Sequence, residues 1–295
     1  MKAKRALIAF ACLLVLGLLG LGATFGAGEY ISQPVRHSTG IPPPELFATA
    51  ATFPANGGIV AGWVARGEGS GAVLLLHGVR ADRRQMQERA LFLNRLGYTV
   101  LLIDLPAHGE STGKRITFGA HEAHAVRAAI AYLARNLPGE RIGVIGSSLG
   151  AASLVLSKPG ASIDALVLEA MYPTIEEATA NRLAIYLGPA GRLLSPLLSP
   201  QLALRTGVKA SALRPVDAMA QLGSPVLVIG GEQDRHTTEA ETRRIFDAAP
   251  EPKQLWIVAG AGHVDLHAHA RSEYERRVSA FLAAHLRDPS VGDGP

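Results

Sequence analysis

The sequence predicts an α/β fold: a mostly parallel sheet of about eight strands, with helices on both faces and a small helical cap. Three observations lead there. From residue 73 onward, short apolar, β-branched runs alternate with stretches of helical composition. One run, Ile142-Gly-Val-Ile145, feeds directly into Gly146-Ser147-Ser148-Leu149-Gly150. Between residues 172 and 223 the alternation stops, and leucine-rich text broken by prolines takes its place.

Taken in order, residues 46–53 and 59–66 read as an antiparallel hairpin at a sheet edge, joined by a turn containing Asn56-Gly57-Gly58. Strands follow at 73–76, 100–103, 142–145, 165–168, 226–229 and 255–258, and helices at 83–96, 121–135, 238–248 and 272–286. A buried strand needs neither the length nor the prolines of 172–223, so this interval is expected to be a helical insertion over the carboxyl edge of the sheet. The domain is expected to cover 46–287, with a Pro-rich linker at 28–45 before it and a disordered tail at 288–295 after it.

With 295 residues, 48% of them hydrophobic, the chain can fill one large α/β domain or two small ones. Its formal charge is +4, but three of the 29 basic residues, Lys2, Lys4 and Arg5, sit at the start, leaving 26 against 25 acidic ones. That balance supplies no argument for a nucleic-acid partner. Residues 6–21 are almost wholly apolar behind those charges, so segment 1–27 reads as a membrane anchor or a signal peptide. Retention is favoured, because Phe25-Gly26-Ala27 sets a bulky residue where cleavage wants a small one; Gly26-Ala27-Gly28 is the tolerable alternative. Either way the basic start stays in the cytoplasm. The domain is then anchored on the extracytoplasmic side of the membrane, or secreted or periplasmic after cleavage. The lone cysteine, Cys12, lies inside this segment without a lipid-attachment pattern before it, so the exported domain is expected to have no disulfide. The oligomeric state stays open.

Glycines flanking a serine where a strand turns sharply into a helix allow a strained turn that lifts the side chain clear, which makes Ser148 the candidate nucleophile. Ser147 and Ser153 are not centred between the glycines. A serine hydroxyl needs a general base, and the base needs an acid to hold its tautomer. Strand 225–230 ends in Gly231-Glu232-Gln233-Asp234 and strand 254–259 in Gly260-Ala261-Gly262-His263, which puts Asp234 and His263 at one rim in the order Ser, Asp, His. Glu232, His267 and His269 are the rivals. The developing oxyanion calls for two backbone donors, the amide of Leu149 at the start of a helix and that of Val79 after Leu74-Leu-Leu-His77-Gly78. His77 itself reads as structural. His121-Glu-Ala-His124 is one residue short of the zinc spacing, and the cluster His263, Asp265, His267 and His269 lacks a carboxylate-rich partner loop. No metal and no cofactor are expected.

These pieces together resemble the α/β-hydrolase superfamily, over about residues 47–286. The matching motifs are His77-Gly78, Asp104-Leu-Pro-Ala-His-Gly109-Glu-Ser111, Gly146-Ser-Ser148-Leu-Gly150, Gly231-Glu-Gln-Asp234 and Gly262-His263. Arg214-Pro-Val-Asp ahead of Pro225 is similar to the bacterial branch with serine aminopeptidases, prolyl-oligopeptidase-like domains and acyl-ester hydrolases. The resemblance implies ester, thioester or amide hydrolysis without a cofactor, on a small-molecule or lipid-like acyl substrate. Serine at 148 argues against the branches whose nucleophile is aspartate. A carboxylesterase is the leading reading; a serine peptidase or thioesterase would share every catalytic residue, and a non-catalytic binding protein on the same fold is the remaining alternative.

Overall fold

Residues 2–287 are described in this computed structural model, so the tail expected at 288–295 lies outside the described residues. The strands are β1 (Val35–Arg36), β2 (Thr49–Ala55), β3 (Gly58–Ala65), β4 (Ala72–Leu76), β5 (Thr99–Ile103), β6 (His108–Gly109), β7 (Ile142–Ser147), β8 (Ala165–Glu169), β9 (Val226–Gly231) and β10 (Lys253–Val258). The α-helices are α1 (Lys2–Ser32), α2 (Gln87–Arg95), α3 (Ala120–Asn136), α4 (Leu149–Leu156), α5 (Ile175–Leu187), α6 (Ser195–Thr206), α7 (Pro215–Ala218), α8 (Glu239–Ala248), α9 (Leu266–His269) and α10 (Arg271–Leu286).

Eight strands make one sheet in the order β10-β9-β8-β7-β4-β5-β3-β2. Every pairing is parallel except those of β3 with β2 and β5. Helices cover both faces, so β4, β5, β8 and β9 are buried from end to end, and they read as unbroken apolar runs rather than alternating ones. Alternate side chains then serve two cores. Leu74, Leu101, Val144, Leu166 and Val228 pack with Val126 and Ile130 of α3 and Leu154 of α4 on one side. Val73, Leu75, Ile145, Val167 and Ile229 pack with Leu93 of α2 and Phe281 and Leu282 of α10 on the other.

The expected hairpin is present, closed by a two-residue turn in which Asn56 (φ 44°) and Gly57 (φ 75°) both take the left-handed conformation that Asn-Gly tolerates. Its first strand begins later than the expected residue 46. Pro44–Leu46 forms a 3₁₀ turn that sends Leu46 into the core, and Phe47 reverses the chain at φ 46°. The strand also runs on through Pro54, which an edge strand accommodates because its outer side has no ladder to join. The helix expected at 83–96 opens instead as a 3₁₀ turn, Arg83–Met86, whose start is capped by the Asp82 carboxylate accepting the Arg84 N–H at 2.9 Å. The interval between β8 and β9 contains no strand among the described residues; α5, α6 and α7 fill it, linked by 3₁₀ turns.

The linker expected at 28–45 is partly ordered structure. Its first residues continue α1 to Ser32, and β1 pairs in parallel with β6 to form a separate two-stranded sheet, too short to leave any periodic signal in sequence. The helix Lys4–Ser32 is long and apolar enough to cross a membrane: 29 residues, with a stretch of mean hydropathy 2.6. Its last turns are fastened to the domain. Arg205 donates to the Phe25 carbonyl (2.7 Å), Arg80 to the Tyr30 carbonyl (2.8 Å), and Arg115 pairs with Glu29 at 2.5 Å.

Candidate active site

Chain order reverses at β4, with β5 on one flank and β7 on the other. Crevices at the carboxyl ends of such neighbouring strands are where open α/β sheets bind ligands. The turn after β7 carries Ser148 at φ 49° and ψ −104°, a strained positive φ for a residue with a Cβ. The flanking glycines make this turn possible by backbone contact: a Cβ on Gly146 would stand 2.6 Å from the Ala151 nitrogen, and one on Gly150 2.5 Å from the Leu76 oxygen. The Ser148 N–H donates to the Glu169 carbonyl at 2.8 Å, tying the turn to the end of β8. Its hydroxyl makes no hydrogen bond to another described residue and faces a cavity of about 290 Å³. Ser147 ends β7, and the buried Ser153 hydroxyl donates to the Leu149 carbonyl at 2.6 Å.

A buried ionic network supports this turn from behind. Arg89 on α2 binds Glu169 through two contacts, Nη2 to Oε2 at 2.7 Å and Nε to Oε1 at 3.0 Å. Tyr274 of α10 donates to the same carboxylate, and Arg89 also reaches Asp265 at 2.9 Å. A second network, Arg83 with Asp104 (2.6 Å) and Glu110 (2.7 Å), is the physical content of the Asp104 to Ser111 motif and closes the loop after β5.

Asp234 and His263 meet at the ends of β9 and β10. The Nδ1 of His263 is 2.7 Å from Oδ2 of Asp234, while Oδ1 accepts the N–H groups of His236 (2.7 Å) and Thr237 (2.9 Å). Asp234 is buried, and both of its oxygens are engaged by these partners. The rivals point elsewhere. Glu232 is exposed and accepts the Gly260 N–H at 2.8 Å; His267 stacks on Phe92 and bonds Glu275 at 2.9 Å; His269 contacts the Ala259 carbonyl at 3.3 Å. His124 of the short zinc-like motif bonds Arg127 at 2.8 Å, and among the described residues no group of three or more metal-ligating side chains stands together.

The two donor amides expected for an oxyanion border the same cavity. Leu149 is the first residue of α4, and neither its N–H nor that of Val79 has an acceptor among the described residues. His77 sets the second of these. Its Nε2 accepts the Leu105 N–H (2.9 Å), so Nδ1 carries the proton and donates to the Gly78 carbonyl (2.7 Å). Pinning that carbonyl orients the whole peptide plane, and the trans geometry turns the Val79 N–H the opposite way. Burial lowers the His77 pKa and keeps the ring neutral. Next to it, ring centroids 5.0 Å apart, His108 accepts the Arg80 N–H at 3.0 Å; burial, and then the neighbouring His77, bring its pKa down to about 4.

The cavity is walled by α5, α6 and the end of α1. Ile175, Ala178, Thr179, Arg182, Leu183 and Tyr186 contribute one face of α5 at helical spacing, and Ala27, Gly28 and Ile31 come from α1. The sequence reading did not identify Arg182, His236 or the α1 residues as neighbours of the site. Arg182 stands in a leucine-rich stretch without a motif, and only the packing of α5 over the sheet edge brings it in. His236 lies with its ring 4.9 Å from that of His263, and burial lowers its pKa, assisted by the Arg182 charge.

Comparison with known proteins agrees with this architecture. The sequence pattern of the α/β hydrolase family matches residues 73–277. The chain is 29% identical over 217 residues to the uncharacterized protein YqkD of Bacillus subtilis (strain 168), covering 71% of this chain and 70% of that one. It is 32% identical over 203 residues to the uncharacterized protein Rv2307c of Mycobacterium tuberculosis (strain ATCC 25618 / H37Rv), covering 67% of this chain and 64% of that one. Its fold is similar to that of the Pyrococcus furiosus esterase Pf2001, with a TM-score of 0.74, 23% identity, and coverage of 87% of this chain and 99% of that chain. A sheet reversing at β4, a serine on the turn after β7 and a family pattern spanning most of the domain lead to one conclusion: the chain belongs to the α/β hydrolase family.

Proposed function

We propose that the protein is a serine hydrolase that cleaves acyl esters through an acyl-enzyme. In this reading the Ser148 oxygen attacks the acyl carbon and its proton passes to His263, which hands it to the departing alcohol; water then repeats the sequence in reverse on the acyl-serine. Asp234 holds the imidazole tautomer and stabilises the imidazolium. The N–H groups of Val79 and Leu149 receive the oxyanion. The observation that carries the proposal is the 2.7 Å contact of His263 with a buried, fully engaged Asp234, on the same sheet edge as a strained, uncommitted Ser148. Ester rather than peptide cleavage is supported by the walls of the cavity, where aliphatic and aromatic side chains predominate.

We read α1 as a retained anchor that holds the domain on the extracytoplasmic face. Cleavage after Ala27 would strip away Phe25, whose carbonyl binds Arg205, and Ala27, which borders the cavity.

The test is fluorophosphonate labelling of the full chain beside Ser148→Ala, with the modified peptide located by mass spectrometry and turnover compared on acyl-ester and peptide-amide substrates. Label confined to Ser148 with ester turnover is the expected result. An unlabelled, folded protein would overturn the hydrolase reading, and faster amide than ester cleavage would make it a peptidase.

A further inference from the structure

Most polar side chains around the cavity are already committed. Tyr172 donates its hydroxyl to the Phe118 carbonyl (2.8 Å) and Thr179 donates to the Ile175 carbonyl (2.8 Å). Arg80 is bound to the Tyr30 carbonyl and lies over the Tyr30 ring at 4.2 Å. Arg205 is bound through Nη2 to the Phe25 carbonyl and Gln201 (2.9 Å); its Nε, with Glu29 at 3.7 Å, has the ion pair but no hydrogen bond among the described residues. Arg182 is held more loosely. Its one hydrogen bond is a long contact, 3.3 Å, from Nη1 to the Ala178 carbonyl one turn back on its own helix, and among the described residues it has neither an ion pair nor the aromatic ring that Arg80 and Arg205 lie over.

A guanidinium carries five donors in a fixed fork; Arg182 is half-buried, so water serves the unused donors, and an anion entering the cavity takes the place of that water. Among the described residues, no aspartate or glutamate lines the cavity. Asp234, the carboxylate whose field reaches Arg182, has both oxygens occupied by His263, His236 and Thr237. Burial lowers the Arg182 pKa from its ordinary value, as expected for a cation held without a counterion, yet arginine stays charged in any protein. The helix presents Arg182 on the same face as Ala178, Thr179 and Tyr186, so the charge is directed toward the space that Ser148 also borders.

We propose that Arg182 is the anion-binding residue of this cavity, and that the substrate is an acyl compound with a carboxylate on an apolar chain, set apart from the bond that is cleaved. This rests on the hydrolase reading above and adds a substrate class to it. A carboxylate matches the planar fork in a two-pronged contact that no neutral chain end can make. The apolar walls would enclose the intervening methylenes.

Two ester series test it. One pairs the para-nitrophenyl monoester of glutaric acid with the neutral ester of the same chain ending in an isopropyl group. The other pairs butyrate esters whose alcohol part ends in a carboxylate or in an isopropyl group. The wild-type protein is expected to prefer the charged member of one series, which identifies the side of the scissile bond that carries the anion. Arg182→Gln should reduce that preference, as a ratio of kcat/KM values, by about 10- to 100-fold, and Arg182→Lys should restore part of it. Calorimetry on Ser148→Ala with the monoanilide of glutaric acid reads binding without turnover, and adding Arg182→Gln should weaken it. Equal losses on charged and neutral esters, in a variant that unfolds thermally like wild type, would overturn the assignment, as would wild-type preference for the neutral member of both series. If Ser148 is labelled but no charge preference exists, the anion site falls and the hydrolase reading stands. If Ser148 is never labelled while Arg182-dependent binding persists, the reverse holds.

Discussion

Nδ1 of His263 and Oδ2 of Asp234 lie 2.7 Å apart, joining loops that leave two neighbouring parallel strands, β9 and β10. The pairing leaves Nε2 as the nitrogen free to exchange a proton with a substrate-side oxygen. Replacing Asp234 with asparagine would keep the shape of the contact but favour the wrong imidazole tautomer. We expect kcat for ester hydrolysis to fall by about 10⁴-fold while the thermal midpoint stays near wild type. Ser148→Ala should lose at least as much, and the combined variant should lose little more, as the proposed hydrolase mechanism requires of residues acting as one unit. Steady-state kinetics on a para-nitrophenyl ester reads all three.

The second prediction concerns the turn itself. A methyl group on Gly150 would meet the Leu76 carbonyl at 2.5 Å, a contact with rigid backbone on the neighbouring strand. Gly150→Ala should therefore destabilise the domain by about 1–3 kcal/mol in urea unfolding and move Ser148 with it, lowering kcat more than stability alone would suggest. An alanine variant with wild-type stability and rate would mean that the strand ends relax freely.

The buried pair of Arg89 and Glu169 sits directly behind Ser148, whose N–H binds the Glu169 carbonyl. Breaking it from one side leaves an uncompensated charge. Arg89→Met should cost about 3–5 kcal/mol, and a double replacement, Arg89→Met with Glu169→Gln, should cost less than the single change. Denaturant unfolding of the set checks the order.

His108 links stability to acidity. Its pKa stands at about 4 in the fold, against an ordinary value of 6.5. Between these values the unfolded chain takes up a proton that folded His108 refuses. The stabilisation is therefore complete above pH 6.5 and is lost as pH falls toward 4. A depression of this size corresponds to about 3 kcal/mol across that range. His108→Asn should flatten the acid side of the stability profile by roughly that amount, read from urea midpoints at about pH 7 and about pH 4.5. An unchanged slope would assign the acid sensitivity to other groups.

His77 offers a readout on the oxyanion donors proposed above. If it orients the Val79 N–H by holding the Gly78 carbonyl, His77→Ala should reduce kcat by about 10- to 100-fold with little change in KM, because the amide interaction is made in the transition state. A rise in KM alone would show that His77 serves substrate binding.

Much of the fold is legible in the chain because parallel strands buried on both faces must be apolar throughout, so β4, β5, β7, β8 and β9 announce themselves. The Gly-x-Ser-x-Gly turn is legible for a related reason: only glycine lets the backbone of that turn approach Leu76 and Ala151 so closely. Chain order at strand ends then brings Asp234 and His263 into consideration. Local pattern put Asp234 ahead of Glu232, and put His263 ahead of His267 and His269 because those two lie further from the strand end; it carries no information on where the side chains point. Side-chain direction separates them, and that is set by packing, as when His267 turns inward onto Phe92. Arg182, the wall formed by the end of α1, and the Arg89 network carry no local signature, while the Arg83 network shows in sequence only through its Asp104 to Ser111 half. They join segments far apart in sequence, such as Arg89 with Tyr274 and Phe25 with Arg205. Composition and periodicity were enough for the eight strands of the main sheet, to within a few residues, for the chain order of Ser148, Asp234 and His263 and for the apolar N-terminal segment, but not for the two-residue strands β1 and β6. Tertiary structure alone decided which side chains share the cavity, since that depends on how helices between β8 and β9 cross the edge of the sheet.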